Sequence, residues 1–229
     1  MNILISGSSK GIGLALVRHY IALGHHVSGC SRTPSSFTHE RYRHFAVDVT
    51  DEAGVMDMML QLQAKGGLDV LINNAGIASM NHFITTPVSR VKEIFEVNVF
   101  GAFLLMREAA KLMIPQKQGR IVNMLSIATP LHLSGEAAYG ASKAALEHLT
   151  RTASVELAAY GITVNGVGST PVQTDLIKNV PSETMQQLLN RQAIPRYAEM
   201  LDIQNAIDFF LRKESDFITG QVLYLGGVF

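Results

Sequence analysis

The sequence predicts an α/β fold, a single doubly wound domain whose parallel sheet of about seven strands carries helices on both faces. Three observations predict it. Short apolar runs alternate with longer helical patterns along the chain, as repeated strand–helix units require. A glycine-rich turn, Gly7 to Gly13, joins the first apolar run to the first helical stretch. No composition break, charge run, repeat or low-complexity linker divides the 229 residues, so residues 1–229 are expected to form one domain.

Taken in order, Ile3 to Ser6 reads as the first strand and Ile12 to Leu23 as the first helix. His26 to Ser31 and Phe45 to Val49 follow as strands two and three. Asp51 to Lys65 is a helix with Thr50 placed to cap it. Val70 to Asn73 is strand four, Val88 to Met113 one long helix, and Arg120 to Leu125 strand five. Glu136 to Tyr160 forms another long helix, ended near Gly161. Thr163 to Val167 is strand six, Ser182 to Ala193 and Leu201 to Arg212 are helices, and Gln221 to Leu225 is the last strand. Open sheets of this kind bind ligands beyond the carboxyl ends of their strands, at the switch point. The site is therefore expected where strands one, four, five and six end.

Composition narrows the function. Nineteen basic residues balance nineteen acidic ones, so no overall field recruits nucleic acid or an anionic membrane. No apolar run approaches the roughly 20 residues of a membrane span, and no signal-peptide pattern opens the chain. A soluble, cytoplasmic protein is expected. Cys30, the single cysteine, has no disulfide partner and is expected as a buried strand residue. The eight histidines lack metal-ligand spacing, so no metal is implied.

Gly7, Gly11 and Gly13 stand at the spacing G-x-x-x-G-x-G. Such a turn lets backbone approach closely, and the helix that follows offers unpaired N–H groups to a pyrophosphate. A glycine triplet alone is also compatible with a mere turn. Further along, Asp48-Val49 closes strand three and Asn73-Asn74-Ala75-Gly76 closes strand four. Asn98 lies in the long helix, Ser126 ends strand five, and Tyr139-Gly140-Ala141-Ser142-Lys143 opens the next long helix. The run Ile218-Thr219-Gly220-Gln221-Val222 leads into the last strand.

In this order and spacing, over nearly the whole chain, these motifs resemble the short-chain dehydrogenase/reductase family, whose domain is a Rossmann fold. The resemblance implies that Gly7, Ser9, Lys10, Gly11, Ile12 and Gly13 hold the cofactor phosphates. It implies that Asp48 and Val49 meet the adenine, and that Asn74, Ala75 and Gly76 line the cofactor cleft. It makes Ser126, Tyr139, Lys143 and Asn98 the catalytic set, with Tyr139 and Lys143 also touching the nicotinamide ribose. One departure is plain. Where the family has a Pro-Gly pair after strand six, this chain has Ser169-Thr170 before Pro171-Val172-Gln173-Thr174. The implied contact of Val172 and Thr174 with the nicotinamide carboxamide is weakened there.

The chemistry suits these residues. Tyr139 and Lys143, four apart, share a helix face. A free phenol titrates near pH ~10, and a neighbouring ammonium lowers that value. Lys143 is therefore expected to depress Tyr139 and make it a general acid or base. Ser126 would orient the substrate oxygen, and Asn98, by the resemblance, would support Lys143 through a water. In reduction the cofactor supplies hydride to a carbonyl carbon while Tyr139 protonates the alkoxide.

Cofactor choice is read at the end of strand two, where an acid binds a ribose 2′-hydroxyl and an arginine accommodates a 2′-phosphate. Here the tip reads Gly29-Cys30-Ser31-Arg32-Thr33, with no acid. Ser31 stands where NAD-preferring relatives carry Asp, Arg32 offers a bidentate hold, and Lys10 adds a point charge. NADP(H) is the expected cofactor.

Residues of about 170–195 are expected to cover the substrate, through Leu176, Ile177, Val180, Met185, Leu188 and Leu189, although core packing accounts for them equally. His132 and Leu133 are further pocket candidates. The resemblance also implies a homodimer or homotetramer through the long helices. The expected activity is NADPH-dependent reduction of a small ketone or aldehyde, the partner being that carbonyl or alcohol substrate. Two alternatives stand beside it. One is a 3-oxoacyl thioester reductase docking a carrier protein through Arg107, Lys111, Arg151 and Arg196. The other is a non-catalytic NADP-binding regulator.

Overall fold

The computed structural model describes residues 1–174, 177 and 180–228. Seven strands form one sheet: β1 (Asn2–Ser6), β2 (His26–Ser31), β3 (Tyr42–Ala46), β4 (Val70–Asn73), β5 (Gly119–Ser126), β6 (Ile162–Ser169) and β7 (Val222–Tyr224). Their order is β3-β2-β1-β4-β5-β6-β7, and every pairing is parallel. The chain reverses direction of growth between β1 and β4. That is the switch point, and the carboxyl ends of β1, β4, β5 and β6 converge there, as the sequence predicts.

Alternation along the strands builds the layers. Leu4, Leu71 and Ile121 point to one face, where α2 (Glu52–Gln63), α4 (Ala102–Met113) and α6 (Ala137–Leu157) cover them. Ile3, Ile5, Val70, Ile72, Val122 and Met124 point to the other, beneath α1 (Gly11–Ala22) and α8 (Met200–Leu211). Both faces of the central strands are dry, and each fully buried Leu, Ile or Val contributes about 1.5–3 kcal/mol. Cys30 belongs to this interior, fully buried on β2, and burial pushes its thiol up to about 12.

Several expected boundaries move, each for a local reason. Strand three was expected at Phe45 to Val49 but pairs as Tyr42–Ala46, because its partner β2 ends at Ser31, opposite Ala46. The chain then turns: Asp48 Oδ1 accepts the Thr50 N–H at 3.0 Å and the Thr50 hydroxyl at 2.9 Å. Thr50 is thereby spent on Asp48, and Asp51, not Thr50, is the N-cap of α2. The single helix expected from Val88 to Met113 is interrupted. It comprises α3 (Val88–Phe95), a π-helical turn at Glu96–Gly101, and α4. The helix at Ser182 is shorter than expected, α7 (Ser182–Leu189). A short helix, α5 (Ala128–Leu131), follows β5 where none was expected. No described helix is long and apolar enough to cross a membrane.

Candidate active site

The glycine loop is braced from β4. Ser6, the last residue of β1, accepts the Asn74 and Ala75 N–H groups on its Oγ, both at 3.0 Å. Asn74 Nδ2 donates back to the Ser6 and Gly7 carbonyls at 2.9 and 3.2 Å. Gly7 takes φ +67, a conformation that side chains disfavour. Gly13 is required for space: a Cβ there would lie 2.2 Å from the Gly7 carbonyl oxygen. Lys10 is the extended N-cap of α1, and its side chain does not cap the first turn. The N–H groups of Gly11, Ile12 and Gly13 thus form an anion-accepting helix end. Among the described residues, a Cβ on Gly11 would meet nothing nearer than Thr174 Cγ2 at 3.9 Å. These residues fit a dinucleotide pyrophosphate.

At the tip of β2, Ser31 Oγ donates to the Thr33 carbonyl at 2.7 Å, and Thr33 Oγ1 donates to Ser9 Oγ at 3.3 Å. Arg32 is exposed beside them. Asp48 spends its carboxylate on the Thr50 turn, and the Val49 side chain is buried, close to the site of a Cβ on Gly101. The Val172 side chain is likewise committed to the core, its backbone bridged to Ala198. Any ligand contact of Val49 or Val172 is therefore left to the main chain.

The catalytic candidates meet beyond the end of β5. Ser126 is its last residue, buried, with its Oγ accepting the Ala128 N–H at 3.1 Å. Tyr139 and Lys143 lie in the first two turns of α6. Lys143 Nζ is 5.8 Å from the Tyr139 ring centroid and donates to the Met124 carbonyl at 2.7 Å. A Cβ on Gly76 would be 3.3 Å from Asn98 Oδ1 and 3.6 Å from Lys143 Nζ, so Gly76 borders the same cluster.

The expected depression of the Tyr139 phenol by Lys143 is not found. Burial pushes Tyr139 up to about 12, with the Ser126 hydroxyl pulling it down and the Glu136 carboxylate adding to the rise. Burial also brings Lys143 down to about 8. Desolvation disfavours both charged forms, and the ammonium is turned to a carbonyl of β5 instead of the phenol. The phenol, protonated at neutral pH even at its ordinary value, is made a weaker acid by this burial.

Asn98 sits in the π-turn, fully buried. Its Oδ1 accepts the Ile77 N–H at 2.8 Å, and its Nδ2 donates to the Ile77 carbonyl at 2.9 Å and to Ser142 Oγ at 3.0 Å. Ser142 Oγ in turn donates to the Tyr139 carbonyl at 2.7 Å. Asn98 thus ties the segment after β4 to the helix that carries Tyr139.

Sequence reasoning gave no role to Ser6, Glu136 or the motif residue Ser142, nor to the buried line Asn73–Asn123–Thr150, of which only Asn73 stood in a motif. In that line Asn73 Nδ2 donates to Asn123 Oδ1 at 2.9 Å, and Asn123 Nδ2 to Thr150 Oγ1 at 2.8 Å. For Asn123 the signal in the sequence is a polar residue inside an apolar strand.

After β6 a cavity of about 440 Å³ is lined by Gln173, Thr174, Ile177, Val180, Met185 and Tyr197, among others. Leu189 is buried and Leu188 partly buried; Leu176 lies outside the described residues. Ser126 and Tyr139 do not line this cavity. Arg191 donates to the Leu131 carbonyl at 2.7 Å, linking the residues after α7 to α5. His132 is exposed in the left-handed region, and Leu133 is partly buried.

A family model described as short chain dehydrogenase matches residues 1–185. A curated relative, the 3-oxoacyl-acyl-carrier-protein reductase FabG of Rickettsia bellii, is 32% identical over 98% of this chain and 94% of its own. A solved structure of ElxO with NADP bound is 31% identical, with TM-score 0.89, over 98% of this chain and 96% of that one. A 4-hydroxyisoleucine dehydrogenase complexed with NADH is 27% identical, with TM-score 0.89, over 99% and 97% of the two chains.

Proposed function

This chain belongs to the short chain dehydrogenase family, an oxidoreductase family, and from that premise we propose that it is an NADPH-dependent carbonyl reductase. The observation that carries the reading is the convergence of Ser126, Tyr139 and Lys143 beyond the end of β5. Gly7, Ser9, Lys10, Gly11, Ile12 and Gly13 hold the pyrophosphate, and Asn74, Ala75 and Gly76 border the cleft. Arg32 and Ser31 take the 2′-phosphate, with Asp48 and the Val49 backbone at the adenine. When bound, the cofactor supplies the hydride. Relatives carry either form, NADP in ElxO and NADH in the 4-hydroxyisoleucine dehydrogenase. The missing acid at Ser31 and the exposed Arg32 favour the phosphorylated one.

In the chemical step Ser126 Oγ donates to the carbonyl oxygen and holds it against the Tyr139 hydroxyl. Tyr139 gives up its proton as the alkoxide develops. Lys143, charged below about pH 8, holds the ribose and, 5.8 Å from the Tyr139 ring centroid, favours the emerging phenolate through space while its ammonium stays on the Met124 carbonyl. Thr174 and the Val172 main chain close over the nicotinamide end, and residues of about 170–195 cover the substrate.

The thioester alternative is favoured by the FabG relative. It requires a basic docking patch near the cleft, and each of the four candidates has an acidic neighbour that reduces the net positive charge. Arg107 meets Glu52 and Glu108, Lys111 meets Glu108, Arg151 meets Glu147, and Arg196 meets Asp202. The regulator alternative has no use for an assembled proton-transfer set. Exposed Phe100 of the π-turn and Phe103 of α4, three residues apart, support a homodimer or homotetramer contact.

The test is NADPH oxidation followed by absorbance against ketones, aldehydes, quinones and 3-oxoacyl thioesters, with NADH in parallel. Turnover of ketones or aldehydes, faster with NADPH, is the expected result. Turnover of thioesters alone would replace this reading with the carrier-protein one. Binding without turnover of any class would leave the regulator.

A further inference from the structure

A polar cluster that the catalytic reading leaves unused lies between β2, β3 and the glycine loop. Gly29 of β2 leaves the room: a Cβ there would fall 2.2 Å from Ser8 Oγ and 2.5 Å from the Tyr42 hydroxyl. His44 of β3, opposite Gly29 in register, fills the centre. Its Nε2 lies 3.1 Å from the Thr33 carbonyl oxygen and 3.2 Å from Ser31 Oγ. Its Nδ1 lies 3.0 Å from the Tyr42 hydroxyl and 3.4 Å from Ser8 Oγ.

These partners set the tautomer. A carbonyl only accepts, so Nε2 carries the proton and donates to Thr33. Nδ1 then accepts, from the Tyr42 hydroxyl at 3.0 Å or, when Tyr42 gives its one proton to Ser8 Oγ at 3.2 Å, from the Ser8 hydroxyl at 3.4 Å. Burial holds the ring below the ordinary histidine value, the Thr33 carbonyl opposing in part, which keeps the ring neutral. The Thr33 carbonyl thus has two donors, Nε2 and the Ser31 hydroxyl at 2.7 Å.

We propose that His44 is a specificity-determining positioning residue for the cofactor's 2′-phosphate, because it holds the Thr33 carbonyl and so frees Ser31 to donate to that phosphate. A phosphate dianion accepts and does not donate, so Ser31 serves it only by turning its proton away from Thr33. With His44 in place the carbonyl keeps a donor after the turn. A ribose 2′-hydroxyl makes no such demand, since it donates to Ser31 as Ser31 stands. His44 therefore favours NADP(H) over NAD(H) without touching either. This inference rests on the reading above, in which the adenosine ribose lies at the tip of β2.

The test measures dissociation constants for NADP⁺ and NAD⁺ by calorimetry on the full chain, with a thermal melt of each variant. His44→Leu is expected to weaken NADP⁺ roughly fivefold and leave NAD⁺ unchanged, as loss of about one net hydrogen bond implies. His44→Gln, which keeps a donor near Thr33, is expected to restore most of the difference. Ser31→Ala tests the same step should His44→Leu not fold: it is expected to lose NADP⁺ selectively, and adding His44→Gln should change nothing further. Equal losses of both cofactors, or none, in His44→Leu would overturn the proposal, as would a Ser31→Ala variant that keeps full NADP⁺ selectivity. Arg32→Ala separates the two levels. Selective loss of NADP⁺ in Arg32→Ala but not in His44→Leu sinks the role of His44 alone. A parent protein that binds NAD⁺ as tightly as NADP⁺ sinks the NADP(H) reading together with it.

Discussion

Asn98 holds both sides of the Ile77 backbone, accepting its N–H at 2.8 Å and donating to its carbonyl at 2.9 Å. The same amide reaches Ser142 at 3.0 Å, so one buried side chain joins the segment after β4, the π-turn and α6. An amide suits the task because it carries a donor and an acceptor at once. Asn98→Ala is expected to lower the melting temperature, since it strands buried polar groups at about 1–3 kcal/mol each. For a chain of this size each kcal/mol shifts the midpoint by about 2–4 °C. Activity should fall with it. A melt and a turnover rate both unchanged would remove Asn98 from the scaffold of the site.

Tyr139→Phe keeps the ring and removes the proton. Turnover is expected to fall by about 10²–10⁴-fold, the usual worth of general acid catalysis, while NADPH binding measured by fluorescence stays near that of the parent. Unchanged turnover would end the assigned role.

The pH profile should follow Lys143. Its ammonium is brought from 10.5 to about 8 by burial, so it is charged below that pH and neutral above it. Loss of the charge leaves the developing phenolate unsupported, so kcat/KM for carbonyl reduction is expected to decline as pH rises through about 8. Tyr139, up at about 12, stays protonated throughout that range. A rate that stays flat well above pH 8 would contradict the part given to Lys143.

Gly13→Ala places a methyl 2.2 Å from the Gly7 carbonyl oxygen. Either the loop or α1 must shift, at a cost of about 1–3 kcal/mol for overpacking. Cofactor affinity should drop sharply for NADPH and NADH alike, as calorimetry would read. Parent-like affinity would show that the loop does not cradle the pyrophosphate at this point.

Arg32→Ala should weaken NADPH far more than NADH, by about tenfold or more for a lost charge-assisted pair. Equal losses would mean that Arg32 does not read the 2′-phosphate.

Periodicity and punctuation determined a good deal by themselves. Val70–Asn73 appears where its apolar run places it, because a strand buried on both faces must be apolar along its length, and His26–Ser31 keeps its expected bounds as well. The motif residues Gly7, Asn74, Ser126, Tyr139 and Lys143 reach one end of the sheet for a topological reason: the strands are parallel, so their carboxyl ends share an edge. What the tertiary structure decided was everything that depends on a distant partner. The length of β3 is set by where β2 stops, and the π-turn accompanies the hold of Asn98 on Ile77 across the fold. Lys143 turns to the Met124 carbonyl, and burial decides its titration and that of Tyr139. Local sequence carries backbone preference and hydrophobic period, but hydrogen-bond partners and desolvation exist only once remote segments have packed together.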